Sequence, residues 1–313
     1  MKVREKRKKR IEVVYYLVAS AIVMEIIRHI VPFPPTKISK YDPQILISIN
    51  CNNPNCERAY YSYNKWGRNF MKLYPKSKVM LTSINNTIDP RMVILSQEHN
   101  ETIKHRQMYH NNFALYKYFL KTRYNYVYRC TEDVYVDAEN LAYEIFKLDL
   151  KHQNFMITSQ YCTPELINTS VGFIHGGSGW ILNRFTARFW VEKKRYFDDF
   201  FSFHDKVGDD VTTEEFISLM KLNFEDVHLK SFIGWPLFYE DIDQLKNKNW
   251  SAFGKCPPPL NKFKTPVRVK QIAAWHSGLD ETYVFHHGDE IIRNAPDNLM
   301  IQAYDSHSIL CYL

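Results

Sequence analysis

The sequence predicts an α/β domain on a central, mostly parallel sheet, preceded by an amino-terminal transmembrane helix. Three observations carry this. Short runs of β-branched and aromatic residues alternate with stretches of helical spacing, the pattern of βαβ units. Acidic residues fall at the end of a strand-like run, where open α/β sheets bind ligands. An apolar run near the amino terminus follows a dense basic cluster, the layout of a signal anchor. With 313 residues, 45% of them hydrophobic, the chain has material for one large core or two small ones.

The elements follow in chain order. Residues 1–10 hold seven basic side chains (Lys2, Arg4, Lys6, Arg7, Lys8, Lys9, Arg10) against Glu5. The net charge of +7 resides largely in this tip, so the charge balance gives no argument for a nucleic-acid partner. Ile11–Ile27, IEVVYYLVASAIVMEII, is apolar apart from Glu12 and Glu25. Roughly 17 residues is the shortest span that crosses a bilayer. The positive-inside rule keeps the tail in the cytosol, with an anchor over 11–30 and the remainder beyond the membrane. A surface helix or a cleaved signal is the alternative, because of Glu25. Residues 31–43, with Pro32, Pro34 and Pro35, read as an extended stem. Residues 44–313 form the lumenal domain. Sequons at Asn85, Asn100, Asn168 and Asn249 accord with that side, as does partial pairing of the six cysteines. Cys51 and Cys56 are close enough to bridge locally, and Cys130 sits in a strand as a buried thiol or a further partner.

Gln44–Ile49 reads as the first strand. Residues 57–73 read as a helix with Tyr60, Trp66 and Phe70 as core anchors. Strands follow at 79–81 and 92–95, then helical spacing from Ile103 to Leu120. Tyr124–Val136, YNYVYRCTEDVYV, is the organising stretch. Its aromatic and β-branched start suits a buried strand, Glu132 and Asp133 come next, and Val134–Val136 is a second short strand. Asp137 opens a helix with Leu141, Ile145 and Leu148 on one face. Carboxylates so placed suit a hard cation such as Mg²⁺ or Mn²⁺, and the cation suits a phosphate. Read alone, the stretch also fits a solvated acidic turn.

After a strand at 155–159 comes a loop holding Gly172, Gly176, Gly177 and Gly179, four of the ten glycines in the chain. Such a loop lets backbone approach a ligand closely. A helix beginning near Trp180 could then offer its amino end to an anion. A tight structural turn is the plain alternative. Asp209 and Asp210 form a second acidic pair, which also fits an ordinary helix cap before Thr212. Among the late histidines, His276 ends a strand-like run from Lys270, with His286 and His287 further on. His175 alone reads as structural.

Taken in order, these pieces resemble glycosyltransferase family 31, the Fringe and β1,3-galactosyltransferase group, and within it the core 1-type enzymes of mucin O-glycans. Arg129–Val136 stands where the family has an acidic triplet and then Tyr-Val, and Glu139-Asn-Leu141 resembles the family's residues just beyond that triplet. Gly176-Gly-Ser-Gly-Trp-Ile-Leu182 resembles the family's glycine loop. Asp209-Asp-Val211 resembles its Glu-Asp-Val motif, and Trp275-His276 its late metal-binding histidine. The chain departs from the pattern at Thr131, Glu132 and Glu214. The resemblance implies a GT-A-type fold and an inverting β1,3 transfer of a hexose, galactose first, from a UDP-sugar to a hydroxyl of a protein-linked glycan. It implies Asp133 and His276 as ligands of Mn²⁺ or another divalent cation. Glu132, Asp133, Gly176, Gly177, Ser178 and Gly179 become donor-binding residues, and Asp210, with Asp209 beside it, the catalytic base. The implied partners are the donor, a glycan or glycoprotein acceptor, the Golgi or ER membrane and a second copy in a homodimer, with no nucleic acid. A catalytically weak relative serving as a lumenal chaperone or glycan-binding protein is the alternative.

Overall fold

The computed structural model describes residues 41–51, 56–83, 92–94, 104–151, 153–162, 172–204, 209–259, 265–277, 283–304 and 307–312. The expected anchor, the stem up to residue 40 and the sequons at Asn85, Asn100 and Asn168 lie outside the described residues. Among the described residues no helix is long and apolar enough to cross a membrane. Asn249 of the fourth sequon is exposed.

The compact unit Asp42–Leu313 is built on a six-stranded sheet. Strands β1 (Ile45–Asn50), β2 (Lys78–Ser83), β3 (Met92–Ile94) and β4 (Tyr126–Thr131) run parallel in the order β3-β2-β1-β4. The chain then adds β5 (Val134–Val136), β6 (Ile157–Thr158), β7 (Tyr161–Cys162), β8 (Phe173–Ile174) and β9 (Trp180–Asn183). In the main sheet β9 lies between β4 and β6 and is antiparallel to both, so it alone runs against the other strands. The sheet is therefore α/β and mixed, with one reversed strand. Every residue of β1 and β4 is buried, as expected of strands covered on both faces.

Helix α1 (Glu57–Ser62) continues through a π-helical turn, Tyr63–Gly67, into α2 (Arg68–Leu73). Trp66 and Phe70 are buried as the spacing predicts, whereas Tyr60 is only half-buried. α3 (Lys104–Leu120) precedes β4, and α4 (Ala138–Lys151) follows β5. The Asn140 amide donates to Asp137 Oδ1 at 2.9 Å, and Leu141, Ile145 and Leu148 face the core. Helices α5 (Arg184–Glu192), α6 (Lys194–His204) and α7 (Val211–Met220) pack their aromatic residues against α3. Trp190 stacks on Phe197 at 4.7 Å and Tyr109 on Phe201 at 4.2 Å.

The helix expected from Trp180 is instead strand β9, and α5 begins at Arg184 with Asn183 as its cap. Trp180, Ile181 and Leu182 are fully buried, and an apolar run of this length suits an interior strand equally well. The glycine loop thus leads into a strand, and a helix amino end is not what it presents.

A second sheet sets the site. β10 (Phe232–Ile233), β11 (Val267–Arg268) and β12 (Ala274–His276) come next, and β12 lies between β10 and β5. The register places His276 opposite Val134 and Trp275 opposite Tyr135. α8 (Tyr283–Asn294) covers this sheet. The carboxyl-terminal hairpin β13 (Leu299–Tyr304) and β14 (His307–Tyr312) pairs with β11. Cys51 is bonded to Cys56 and Cys256 to Cys311, and Cys130 and Cys162 are buried thiols.

Candidate active site

The site grows from the turn between β4 and β5. Asp133 sits in this turn, 5% exposed, between two strands whose every residue is buried. The Ser62 hydroxyl donates to the Glu132 carbonyl at 3.2 Å, and the Trp66 indole to the Val134 carbonyl at 3.0 Å. Ser277 donates from both its amide and its hydroxyl to the Asp133 carbonyl. Glu132 is buried beside Asp133.

The antiparallel pairing of β5 with β12 carries His276 to the same place. Its Nε2 lies 3.4 Å from Asp133 Oδ2. Its Nδ1 lies 2.7 Å from the Gly234 carbonyl, which can only accept, so Nδ1 carries a proton. In neutral His276, Nε2 then points a lone pair at a carboxylate. Two arrangements relieve that contact: a proton on Nε2, or a cation shared by both atoms. Burial alone would raise the Asp133 pKa, but the His276 contact and the Thr131 hydroxyl outweigh it and hold the group at about 2. His276 shifts upward, since Asp133 outweighs the opposing effect of burial. Asp133 Oδ1 is buried with no hydrogen-bond partner. An ionised carboxylate oxygen left so is free to accept a proton donor or to ligate a cation. Of the late histidines, His276 is the one that meets Asp133; His286 packs edge-on against Tyr61 and His287 stacks on Tyr283.

Among the described residues no group of three or more Asp, Glu, His or Cys side chains converges on one point. Two protein ligands nonetheless fit a cation that arrives with a diphosphate, since such ions keep waters and phosphate oxygens as their other ligands.

The glycine loop lies against this pair. A Cβ on Gly177 would come 2.6 Å from His276 Nδ1 and 2.8 Å from His175 Cε1. A Cβ on Gly176 would come 3.2 Å from Asp210 Oδ2. Gly179 has φ +73°, and a Cβ there would strike the Arg129 carbonyl. Gly177 and Gly179 are thus required by close packing of the loop on His276 and β4, and Gly176 is tight against Asp210, a reason that the sequence pattern alone does not reveal. Thr131, which stands where the resemblance expects an acid, donates its hydroxyl to the Gly177 carbonyl at 3.0 Å and pins the loop. Ser178, expected to bind the donor, has its side chain inside: its Oγ lies 3.1 Å from Ser159 Oγ and its carbonyl accepts from Tyr128. Its hydroxyl is a packing group.

On the far flank of the loop stands the second acidic pair. Asp210 occupies the cap position of α7, yet its side chain makes no capping bond. Its Oδ2 accepts instead from the Gly176 amide at 3.0 Å. Burial, then the charge of Asp209, pushes its pKa up to about 7. Asp209 is 4% exposed, and its Oδ2 accepts from Arg129 Nη2 at 2.8 Å and Asn112 Nδ2 at 2.7 Å. A carboxylate tied in this way neutralises Arg129.

Sequence reasoning missed Arg129, Asn112, Gly234 and the placement of His175. Arg129 carried a signal: a charge inside an apolar strand demands a buried acid. His175 accepts from the Gly177 amide at 2.9 Å and packs edge-on to Trp235, and burial lowers its pKa to about 3. It is a neutral structural group beside His276.

No protein-family model and no curated protein sequence matches the chain. Among solved structures the fold is similar to three glycosyltransferases. The galactosyltransferase LgtC, in complex with donor and acceptor sugar analogues, aligns with TM-score 0.41 and 12% identity, over 76% of this chain and 88% of that one. The apo glycosyltransferase GlyE of Streptococcus pneumoniae TIGR4 aligns with TM-score 0.39 and 10% identity, over 77% and 56%. Mouse xyloside xylosyltransferase 1 in its apo form aligns with TM-score 0.39 and 12% identity, over 77% and 99%.

Proposed function

We propose that this chain is a GT-A-type, inverting β1,3-glycosyltransferase that moves a hexose, galactose first, from a UDP-sugar to a hydroxyl of a protein-linked glycan. The observation that carries the reading is the pairing of Asp133 with His276 at a strand end, with Asp133 Oδ1 buried and unpartnered, across two glycines from a carboxylate of raised pKa. Asp133 and His276 would hold Mn²⁺ or a similar ion, which when bound neutralises charge on the departing diphosphate. Glu132 lies beside them for the ribose. Asp210 takes the proton from the acceptor hydroxyl as that oxygen attacks the sugar on the face opposite the leaving group. A base with a pKa near 7 is well matched to that task. The two disulfides and the exposed Asn249 sequon accord with a Golgi or ER lumenal domain behind a type II anchor.

The test is a hydrolysis screen of UDP-sugars with the purified full chain, with and without Mn²⁺. We expect release of UDP that requires the metal and is fastest with UDP-galactose. No UDP release from any UDP-sugar, by protein that binds UDP and Mn²⁺, would favour a non-catalytic sugar-binding role.

A further inference from the structure

Behind the glycine loop the hydrogen bonds close into a ring. Arg129 is fully buried on β4, with its guanidinium 4.5 Å above Trp180. Its Nε donates to Asn112 Oδ1 at 3.1 Å, its Nη1 to the Gly176 carbonyl at 3.1 Å and its Nη2 to Asp209 Oδ2 at 2.8 Å. Asn112, on α3, completes the circuit by donating to the same Asp209 oxygen. The Gly176 amide, on the other side of that residue, donates to Asp210. Strand β4, helix α3, the loop and the start of α7 are therefore joined through one guanidinium. A buried ion pair of this kind is weak evidence for stability, because desolvation of both charges opposes their attraction. What a fully satisfied network does achieve is a single fixed geometry.

We infer that Arg129, Asn112 and Asp209 are positioning residues that lock the Gly176 peptide, and through it the Asp210 carboxylate, to strand β4, whose end four residues on carries Asp133. The inference rests on Asp210 being the proton acceptor proposed above. It also gives Asp209 a definite task, as the charge beside Asp210 that keeps its proton affinity high, while Arg129 opposes it. Among the described residues the titratable and charged neighbours of Asp210 are these. Asp209 adjoins it, Arg129 faces it, neutral His175 precedes Gly176 on the loop, and Glu214 lies one turn along α7.

Opposite charges make opposite predictions, which a purely structural role would not. The experiment is a ¹³C NMR titration of aspartate carboxyls in the full chain, with Asp210→Asn to assign the resonance. Asp209→Asn keeps shape and removes a negative neighbour, so the Asp210 midpoint should fall by about one pH unit or more. Arg129→Met removes the positive neighbour, so the midpoint should rise by a similar amount. The double variant should return towards the wild-type value. It leaves neither charge of the pair buried alone, so the comparison with Asp209→Asn survives even where Arg129→Met does not fold. The acidic limb of UDP-galactose turnover should move in the same directions. An Asp210 midpoint identical in Asp209→Asn, the double variant and wild type would overturn the inference. So would a loss on the order of 10²-fold or more in Asp209→Asn with its pH limb unmoved, which is the signature of a lost base. Normal turnover by Asp210→Asn would remove only the base assignment, and the titration would still read the ring.

Discussion

On one flank of the glycine loop lie Asp133 and His276; on the other lie Arg129, Asn112 and Asp209. Both flanks pair a buried carboxylate with a nitrogen cation or its equivalent, and His276 alone of these groups is partly exposed. They differ in how completely their polar atoms are satisfied. Around Arg129, each of the three guanidinium nitrogens has an acceptor, and the Asp209 oxygen that meets it takes two donors. Around Asp133 one oxygen has no partner, and the histidine nitrogen facing the other sits at 3.4 Å. In the proposed reading the satisfied flank is scaffold, and the unsatisfied flank is where the cation would bind. Asp210, at the start of α7, meets the loop through the Gly176 amide, and in the proposed reading its proton affinity is set by the first flank.

The largest effect that tests this comparison comes from Asp210 itself. Asp210→Asn should lower kcat on the order of 10²–10⁴-fold while UDP binding stays unchanged. Asparagine caps a helix nearly as well as aspartate, so an intact fold is expected. Near-normal turnover would move Asp210 to the scaffold side. In the wild-type chain, turnover should rise as pH passes through about 7, where Asp210 ionises. Stability should run the other way. The folded chain keeps this proton up to about 7, against 3.8 for the free group, so the contribution is complete below 3.8 and is lost as pH rises through about 7. Thermal melts of wild type and Asp210→Asn across that range should show the pH slope reduced in the variant.

Gly177→Ala should come next. Its new methyl would press on His276, His175 and the Gly234 carbonyl, the last at 2.9 Å. Overpacking of this kind costs about 1–3 kcal/mol, read as a lower denaturation midpoint. Because His276 must shift, metal affinity should drop with it. Unchanged Mn²⁺ affinity in a destabilised Gly177→Ala would mean that His276 is not a ligand. The smallest effect is expected from Ser178→Ala, about 1 kcal/mol of stability for one buried hydrogen bond, with no change in donor KM. A raised KM would place its hydroxyl at the donor after all.

Much of the molecule is legible in the sequence, and the omissions have physical causes. The position of Asp133 can be read because a β-branched run ending in acids marks a strand end. That β12 pairs with β5 cannot, since pairing between strands some 140 residues apart leaves no local trace. His276 therefore stands level with His286 and His287 until the register is known. The run Trp180–Asn183 misleads because four residues after a glycine loop suit a strand or a first helical turn alike, and only burial between β4 and β6 decides it. The glycines read as room for a ligand, when the loop's own approach to Arg129 and His276 already requires Gly179 and Gly177. Ser178 is placed in the site by its neighbours in sequence, yet its side chain points the other way.

The central claim is that Asp133 and His276 hold one divalent ion together with UDP. Calorimetric titration of Mn²⁺ into the UDP-saturated full chain tests it most directly, beside Asp133→Asn. The account predicts one ion bound per wild-type chain and none bound by the folded variant. Equal binding by both, or no binding by the wild type, would contradict it.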